Sequence, residues 1–585
     1  LAGASLQLAR GLLFVLAASL PFEVPVCQLG RLELTTVEIV LYSTLAAWGL
    51  FVVLDLGLRG RTVMAALSCA RKDPLVVATV AWTIVLFATA AATSNRLATG
   101  KFALRSLSGI LVFFAARSLA RPAVVARRLV FAVLAGAWLS AASALSESLA
   151  PQASGWLRLF RDESFAAFGL LRASGVFGYP TIGAMYWEAA LPLVVVACVG
   201  GDETMQSARR PTWHAFLGSA VLAGGIVASA TRSSLAGSTL ACALLFVLTR
   251  RWPGAVARAA TAALTALLAT SILAATAPGA GALARQRLRF WEDDAWFGVT
   301  YDLESDTRTV ERGESFTTPI TLHNAGTLTW RHTGEKATTL GCHWYRKESG
   351  APDTMTLFEG PRTTLPADVP PHGTVRVEGV ASAPSAPGTY RLAWDAVQED
   401  VTWFGEHGNK TADVVVTVVP RTTAPSMPVA SERDLSRHEV APPPPRRALW
   451  RAAVTLWLEH PLLGIGPDNF RRRYEPILSP APNGEPYLDT RIHANSLYFE
   501  TLADMGLAGL VALAAVGAAL LVVAREHWRG RRATGLGVSV AAASFFVHGV
   551  SDYFMEFTPA FGLYWMLLGL TAATTPVGEG PDKTP

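Results

Sequence analysis

The sequence predicts a polytopic α-helical membrane protein of about twelve transmembrane helices, with an extracytoplasmic all-β sandwich inserted between helices 9 and 10. Three observations predict it. Hydrophobic residues make up 51% of the chain and charged residues only 16%, a balance that favours a bilayer over a single soluble core. Apolar windows of roughly 17–25 residues, enough to cross a bilayer, recur at both ends of the chain. Between them the pattern changes to short runs of alternating polar and apolar residues.

The windows before that change lie near 6–25, 34–56, 74–93, 102–119, 124–146, 181–199, 213–230, 233–249 and 256–277. Three more follow near 498–524, 533–551 and 555–573. The first apolar run, "LARGLLFVLAASLPF", shows no clear cleavage site and reads as a first span. Lys and Arg concentrate in alternate loops, for example Arg59, Arg61, Arg71 and Lys72, then Arg117, Arg121, Arg127 and Arg128, then Arg525, Arg529, Arg531 and Arg532. The last loop of the opposite set, "HGVSDYFMEFTP", has no Lys or Arg. By the positive-inside bias both ends are cytoplasmic and residues 279–497 lie outside.

The division that follows is a membrane part over 1–284 and a sandwich over 296–420, built on "ESFTTPITLHNAG", "HGTVRVEGVA", "GTYRLAWDAV" and "ADVVVTVVP". Trp330, Trp344, Trp394 and Trp403 are expected to give its core bulk. Residues 421–446 form a Pro-rich linker too polar to pack. Residues 447–497 form loop helices, and 498–573 return to the membrane. In "ALWRAAVTLWLEHPLLGIG" the helical spacing of Leu449, Ala453, Leu456 and Trp457, broadened by Trp450 and Leu458, predicts an amphipathic helix on the membrane surface.

Several classes are excluded. The five cysteines include no CxxC and no metal-ligand spacing, which argues against disulfides and zinc. The net charge of +5 is spread in short clusters and forms no basic domain, so no nucleic-acid partner is expected. No Gly-rich phosphate loop follows a strand, and no paired-Asp metal signature stands out.

Polar residues near the outer ends of spans are the candidates for chemistry. In "SATRSSLAGS" Arg232 sits in a tight outer turn among hydroxyls, either snorkelling to lipid phosphate or presenting its planar fork to a bound one. In "LLRASGVFGYPTIGAMYWEAALP" Arg172 precedes a span that carries Glu188. An intramembrane glutamate is a functional candidate or the partner of an arginine. "DTRIHANSLYFETLADMGLAGL" places Arg491, His493, Asn495 and Glu500 at the lip of the tenth span. His493 is either an interfacial histidine with a satisfied hydrogen bond or a proton acceptor near neutral pH. In "HGVSDYFMEF", Asp552 and Glu556 face outward with no basic partner evident in the sequence.

The ordered combination of "RASGVFGYP", "TRSSLAGSTL", "LWRAAVTLWLEHPLLGIGPDNFRRRY" and "HANSLYFETLADMGLAGL" resembles the bacterial O-antigen ligase and polymerase superfamily, membrane glycosyltransferases of GT-C type. The resemblance covers about 170–280 and 445–570. It implies inverting transfer of a glycan from an undecaprenyl-pyrophosphate donor to an acceptor hydroxyl, without a metal or other cofactor, at the outer face of the bacterial inner membrane. The acceptor it implies is a lipid A-core or another glycan. Carried over by position, Arg232 and Arg172 hold the pyrophosphate, and His493 acts as a neutral base. Arg491, Asn495 and Glu188 are further binding candidates from their places near the span ends. Many members read His-x-His-Asn where this chain reads His493-Ala494-Asn495-Ser496, so Asn495 stands at the second histidine's place. The sandwich is a second departure; its "WRHTGE" and "VTWFGEHG" segments resemble an Ig-like domain. A polysaccharide polymerase and a lipid-linked oligosaccharide flippase are the competing readings. Transporters often carry internal repeats and midplane polar residues; the chain shows no repeat, and apart from Glu188 its polar candidates lie on one side.

Overall fold

The computed structural model describes residues 2–29, 32–59, 73–93, 95–161, 166–167, 170–198, 212–252, 255–276, 296–333, 337–346, 356–399, 402–420, 444, 446–478 and 492–575. Arg491 and nearly all of the Pro-rich linker lie outside the described residues.

Among the described residues nine apolar helices come first: α1 (Ala2–Ser19), α2 (Thr36–Arg59), α3 (Pro74–Ala92), α4 (Arg96–Leu119), α5 (Ala123–Leu149), α6 (Pro180–Ala197), α7 (Thr212–Ala228), α8 (Arg232–Thr249) and α9 (Ala255–Thr276). After a sheet-rich unit come α10 (Arg446–Glu459), α11 (Leu497–Arg529), α12 (Ala533–His548) and α13 (Thr558–Ala573). Among the described residues nine helices are long and apolar enough to cross a membrane, and α7, α12 and α13 are apolar but shorter. The chain is thus a polytopic helical membrane protein. Large apolar side chains such as Val53, Leu104, Leu268 and Val511 are exposed on the helices, as lipid-facing surfaces require. By contrast α6 is enclosed over 94% of its length and forms the centre against which α5, α7, α8 and α12 pack.

Local chemistry sets the helix starts. Asp73 caps α3 by accepting from the N–H groups of Leu75 and Val76, and Pro74 takes the position where no N–H is needed. The same carboxylate binds Arg117 of α4 at 2.8 Å, which ties the two helices at one end.

The sheet-rich unit holds β1 (Val299–Leu303), β2 (Thr307–Glu311), β3 (Ser315–Asn324), β4 (Thr338–Arg346), β5 (Thr356–Glu359), β6 (Thr363–Thr364), β7 (Thr374–Ser382), β8 (Gly388–Gln398), β9 (Thr402–Trp403) and β10 (Ala412–Val419). One sheet runs β6-β4-β8-β10-β2 with β9 on β8 and β5 on β4; the other runs β7-β3-β1. All pairs are antiparallel except β10 with β2. Strict alternation in β7 buries Val375, Val377 and Ala381 on one face. The sheets meet closely at Gly379, where a Cβ would lie 2.8 Å from the Trp394 ring. Trp330, Trp344 and Trp394 fill the shared core. Trp403 does not: it is half-buried outside that core, with the Arg362 guanidinium 4.4 Å over its ring.

The apolar stripe of α10 is covered by protein and not by lipid. Leu449, Ala452, Ala453 and Leu456 pack with Phe470, Tyr474, Ala494 and Ala503, while Trp450 stacks on Phe499 at 5.0 Å. Leu458, expected on the same face, is exposed.

The helical path of α11 breaks at Gly506 (φ 63°, ψ −160°). The break frees backbone groups that the "HPLLGIG" segment takes up. Ile465 and Gly466 donate to the carbonyls of Ala503 and Asp504, and Leu507 and Ala508 donate to those of Pro461 and Leu462. Only glycine suits this approach, because a Cβ at Gly506 would lie 2.5 Å from the Leu462 carbonyl. Gly506→Ala is therefore expected to cost about 1–3 kcal/mol, read as a lower thermal midpoint of the detergent-purified protein. An unchanged midpoint would show that the break is not glycine-dependent.

Candidate functional site

The segment before α6 is fastened from beneath by Glu147, near the end of α5. Its carboxylate accepts from the N–H groups of Ser174 (3.0 Å) and Gly175 (2.8 Å) and pairs with Arg161 at 2.5 Å. Arg161 also donates to Ser174 Oγ, and Gly175 takes φ +57° where it passes Ser143. The fastening aims Arg172 inward. Its Nε donates to the Ser229 carbonyl (3.0 Å) and its Nη2 to Thr231 Oγ1 (3.3 Å), leaving the residue 7% exposed.

Arg232 opens α8 one residue beyond Thr231, and Arg446 opens α10. Burial lowers the Arg172 pKa from its ordinary value; nearby Arg446 and Arg232 lower it further, whereas Tyr179 and Asp552 raise it. The two arginines expected from the sequence therefore come together, joined by Arg446 from a segment far along the chain. The start of the 18-residue helix α8 adds its positive dipole end.

Beneath this cluster Glu188 pairs with a histidine and not with an arginine. Its Oε2 lies 2.7 Å from His548 Nδ1, and both side chains are fully buried. A Cβ at Gly237 of α8 would collide with the Glu188 carboxylate, so that glycine makes room for it.

His493 stands in a second cluster. Its Nδ1 faces Glu500 at 2.7 Å and its Nε2 faces Glu556 at 2.6 Å, with the Tyr553 ring alongside. Burial alone would lower the His493 pKa, but the two carboxylates outweigh it and push the value up to about 10. Glu556 is held down to about 2, because His493 and Arg471 outweigh the effect of its burial. A ring protonated on both nitrogens donates twice and accepts nothing, so the neutral-base role does not fit this arrangement. Asp552 and Glu556 likewise have basic neighbours: Glu556 meets His493 and, at 3.5 Å, Arg471, while Asp552 lies 4.0 Å from His548. Arg471 forks onto Asp468 at 2.6 and 2.8 Å, and Asp504 accepts from the N–H groups of Asp468 and Phe470.

Asn495 takes a left-handed turn (φ 49°) before Ser496, which starts α11. There the N–H of Leu497 donates to the carbonyls of Gly549 and Asp552. The 549–557 loop thus joins both clusters, with Asp552 toward Arg172 and His548 and Glu556 toward His493. The sequence reading missed Glu147, Asp504 and His548, although an ionisable group within or at the end of an apolar run is itself a signal. Arg446 and Arg471 gave none.

A polytopic membrane protein with arginines gathered around one buried guanidinium, at one end of its helices, is the class that fold and site define. Residues 414–514 match the family model for O-antigen ligase. The matched segment contains Arg446, Asp468, Arg471, His493, Glu500 and Asp504. No curated protein matches the chain.

Two outcomes follow for stability. Glu147→Ala leaves Arg161 buried without its partner and is expected to cost about 3–5 kcal/mol, with the Glu147→Ala/Arg161→Ala double variant costing less than the sum of the singles. Additive costs in thermal unfolding would contradict this coupling. His493, with its folded value raised above 6.5, contributes fully below that pH and loses the contribution as pH rises through about 10. Glu556 runs the opposite way, contributing above 4.5 and losing the contribution as pH falls toward about 2. The midpoint difference between wild type and His493→Gln should therefore shrink from pH 6.5 to 10, and a constant difference would refute the pairing.

Proposed function

We propose that this protein transfers a glycan from an undecaprenyl-pyrophosphate donor to an acceptor hydroxyl, as an O-antigen ligase. In this reading the twelve apolar helices all span the inner membrane. The arginine cluster, the loop helices and the Ig-like sandwich then share its outer face. The observation that carries the reading is the convergence of Arg172 and Arg232 on Arg446 of the family-matched segment. A leaving pyrophosphate develops negative charge, and guanidinium forks fixed in advance stabilise that charge without reorganising.

Arg172 is fixed in place, since a backbone carbonyl and a hydroxyl already orient it. Arg232 at the start of α8 adds a second charge together with the helix dipole. His493 serves as a fixed cation that holds the 549–557 loop against the start of α11, and Asn495 shapes the turn between them. Arg491 stays a binding candidate by its place in the sequence before α11, and Glu188 acts through His548.

Arg172→Ala and Arg232→Ala are each expected to lower transfer about 10²–10³-fold, the usual cost of one preorganised donor to a developing anion, with membrane insertion unchanged. Arg232→Lys should also fail, because a lysine offers only a point charge. The assay is glycan transfer by the full chain in proteoliposomes loaded with an undecaprenyl-pyrophosphate-linked oligosaccharide. In cells, deletion of the gene should leave finished polymer on its lipid carrier; an acceptor core capped by a single repeat would indicate a polymerase, and unchanged surface glycan would refute the reading.

A further inference from the structure

With both nitrogens of His493 committed to carboxylates, the proton of the attacking hydroxyl needs another destination. His548 offers one. Glu188 lies 2.7 Å from Nδ1, and Ser234 Oγ is 3.2 Å from the same nitrogen. A carboxylate at that distance holds the proton on Nδ1 and leaves the Nε2 lone pair free to accept. On the Nε2 side are Ser233 Oγ at 3.4 Å and Asp552 Oδ2 at 4.0 Å, with Arg446 the other charge acting on the ring. Ser233 is half-buried and follows Arg232 in the chain, so its hydroxyl connects the enclosed imidazole with the cationic cluster.

We propose that Ser233, His548 and Glu188 form the proton relay for glycosyl transfer, a role that rests on the ligase reading above. As the acceptor oxygen bonds to the anomeric carbon, its proton passes to Ser233 Oγ while the Ser233 proton passes to His548 Nε2. The bond from that carbon to the pyrophosphate breaks, and its electron pair leaves with the phosphate oxygen, facing Arg172 and Arg232. Ser233 ends unchanged and His548 ends protonated; loss of that proton to water resets the relay. Ser233 touches the acceptor, His548 receives the proton through it, and Glu188 positions the ring.

The test uses full-length protein in proteoliposomes with the same lipid-linked oligosaccharide, and undecaprenyl pyrophosphate alone as the binding probe. His548→Ala and His548→Gln are expected to lower kcat about 10²–10⁴-fold while binding of the probe changes less than about threefold. Glu188→Gln, which keeps the shape, is expected to move the acidic limb of the kcat–pH profile; a purely structural role would not move it. If the His548 variants fail to fold, the Glu188→Gln profile decides. A His548 variant with near wild-type kcat, a Glu188→Gln profile identical to wild type, or a glycosyl group trapped on Ser233 would overturn the relay alone. Wild-type protein that neither binds the probe nor transfers glycan would overturn the ligase reading and the relay with it.

Discussion

One imidazole held between two carboxylates organises this end of the molecule. Glu500 reaches His493 from α11, Glu556 reaches it from the 549–557 loop, and Arg471 joins from the segment after α10. Because the ring carries charge, each carboxylate gains more from it than from a neutral partner. The loop so held turns Asp552 toward the arginines. Without that anchor, the cationic cluster and the helix starts around it have no common reference.

The same logic governs the other buried acids. Charge removed from water is tolerated only when paired or hydrogen-bonded. Glu147 uses two backbone N–H groups and Arg161, Asp504 uses two backbone N–H groups, and Glu188 uses His548. In each case the acid joins segments distant in the chain, so these pairs specify tertiary arrangement beyond what apolar packing supplies.

The helical part of the fold was legible because a bilayer demands long apolar runs. The expected run 74–93 is found as Pro74–Ala92, and 533–551 as Ala533–His548. Strand alternation was legible in β7, which has one face on the core. It was obscured in β8, where residues of both faces are buried. The break at Gly506 was not legible, since a single glycine in an apolar run carries no signature of the partner segment that makes it necessary. In the site, Arg172, Arg232, Glu188 and His493 could be picked out by residue type and place. The charge of His493 could not, because Glu556 stands 63 residues away, and the partner of Glu188 stands 360 residues away. Pairings at such separation are set by topology and not by local pattern.

The break at Gly506 also settles a problem of length. A continuous helix over Leu497–Arg529 would rise roughly 50 Å, well beyond a hydrocarbon layer of about 30 Å. Divided at Gly506, residues 507–529 rise roughly 34 Å and match that layer with a modest tilt. The turns before the break, which carry Glu500 and Asp504, are thereby released from lipid, so the glycine marks where the solvent of the chain changes from acyl tails to a polar protein interior.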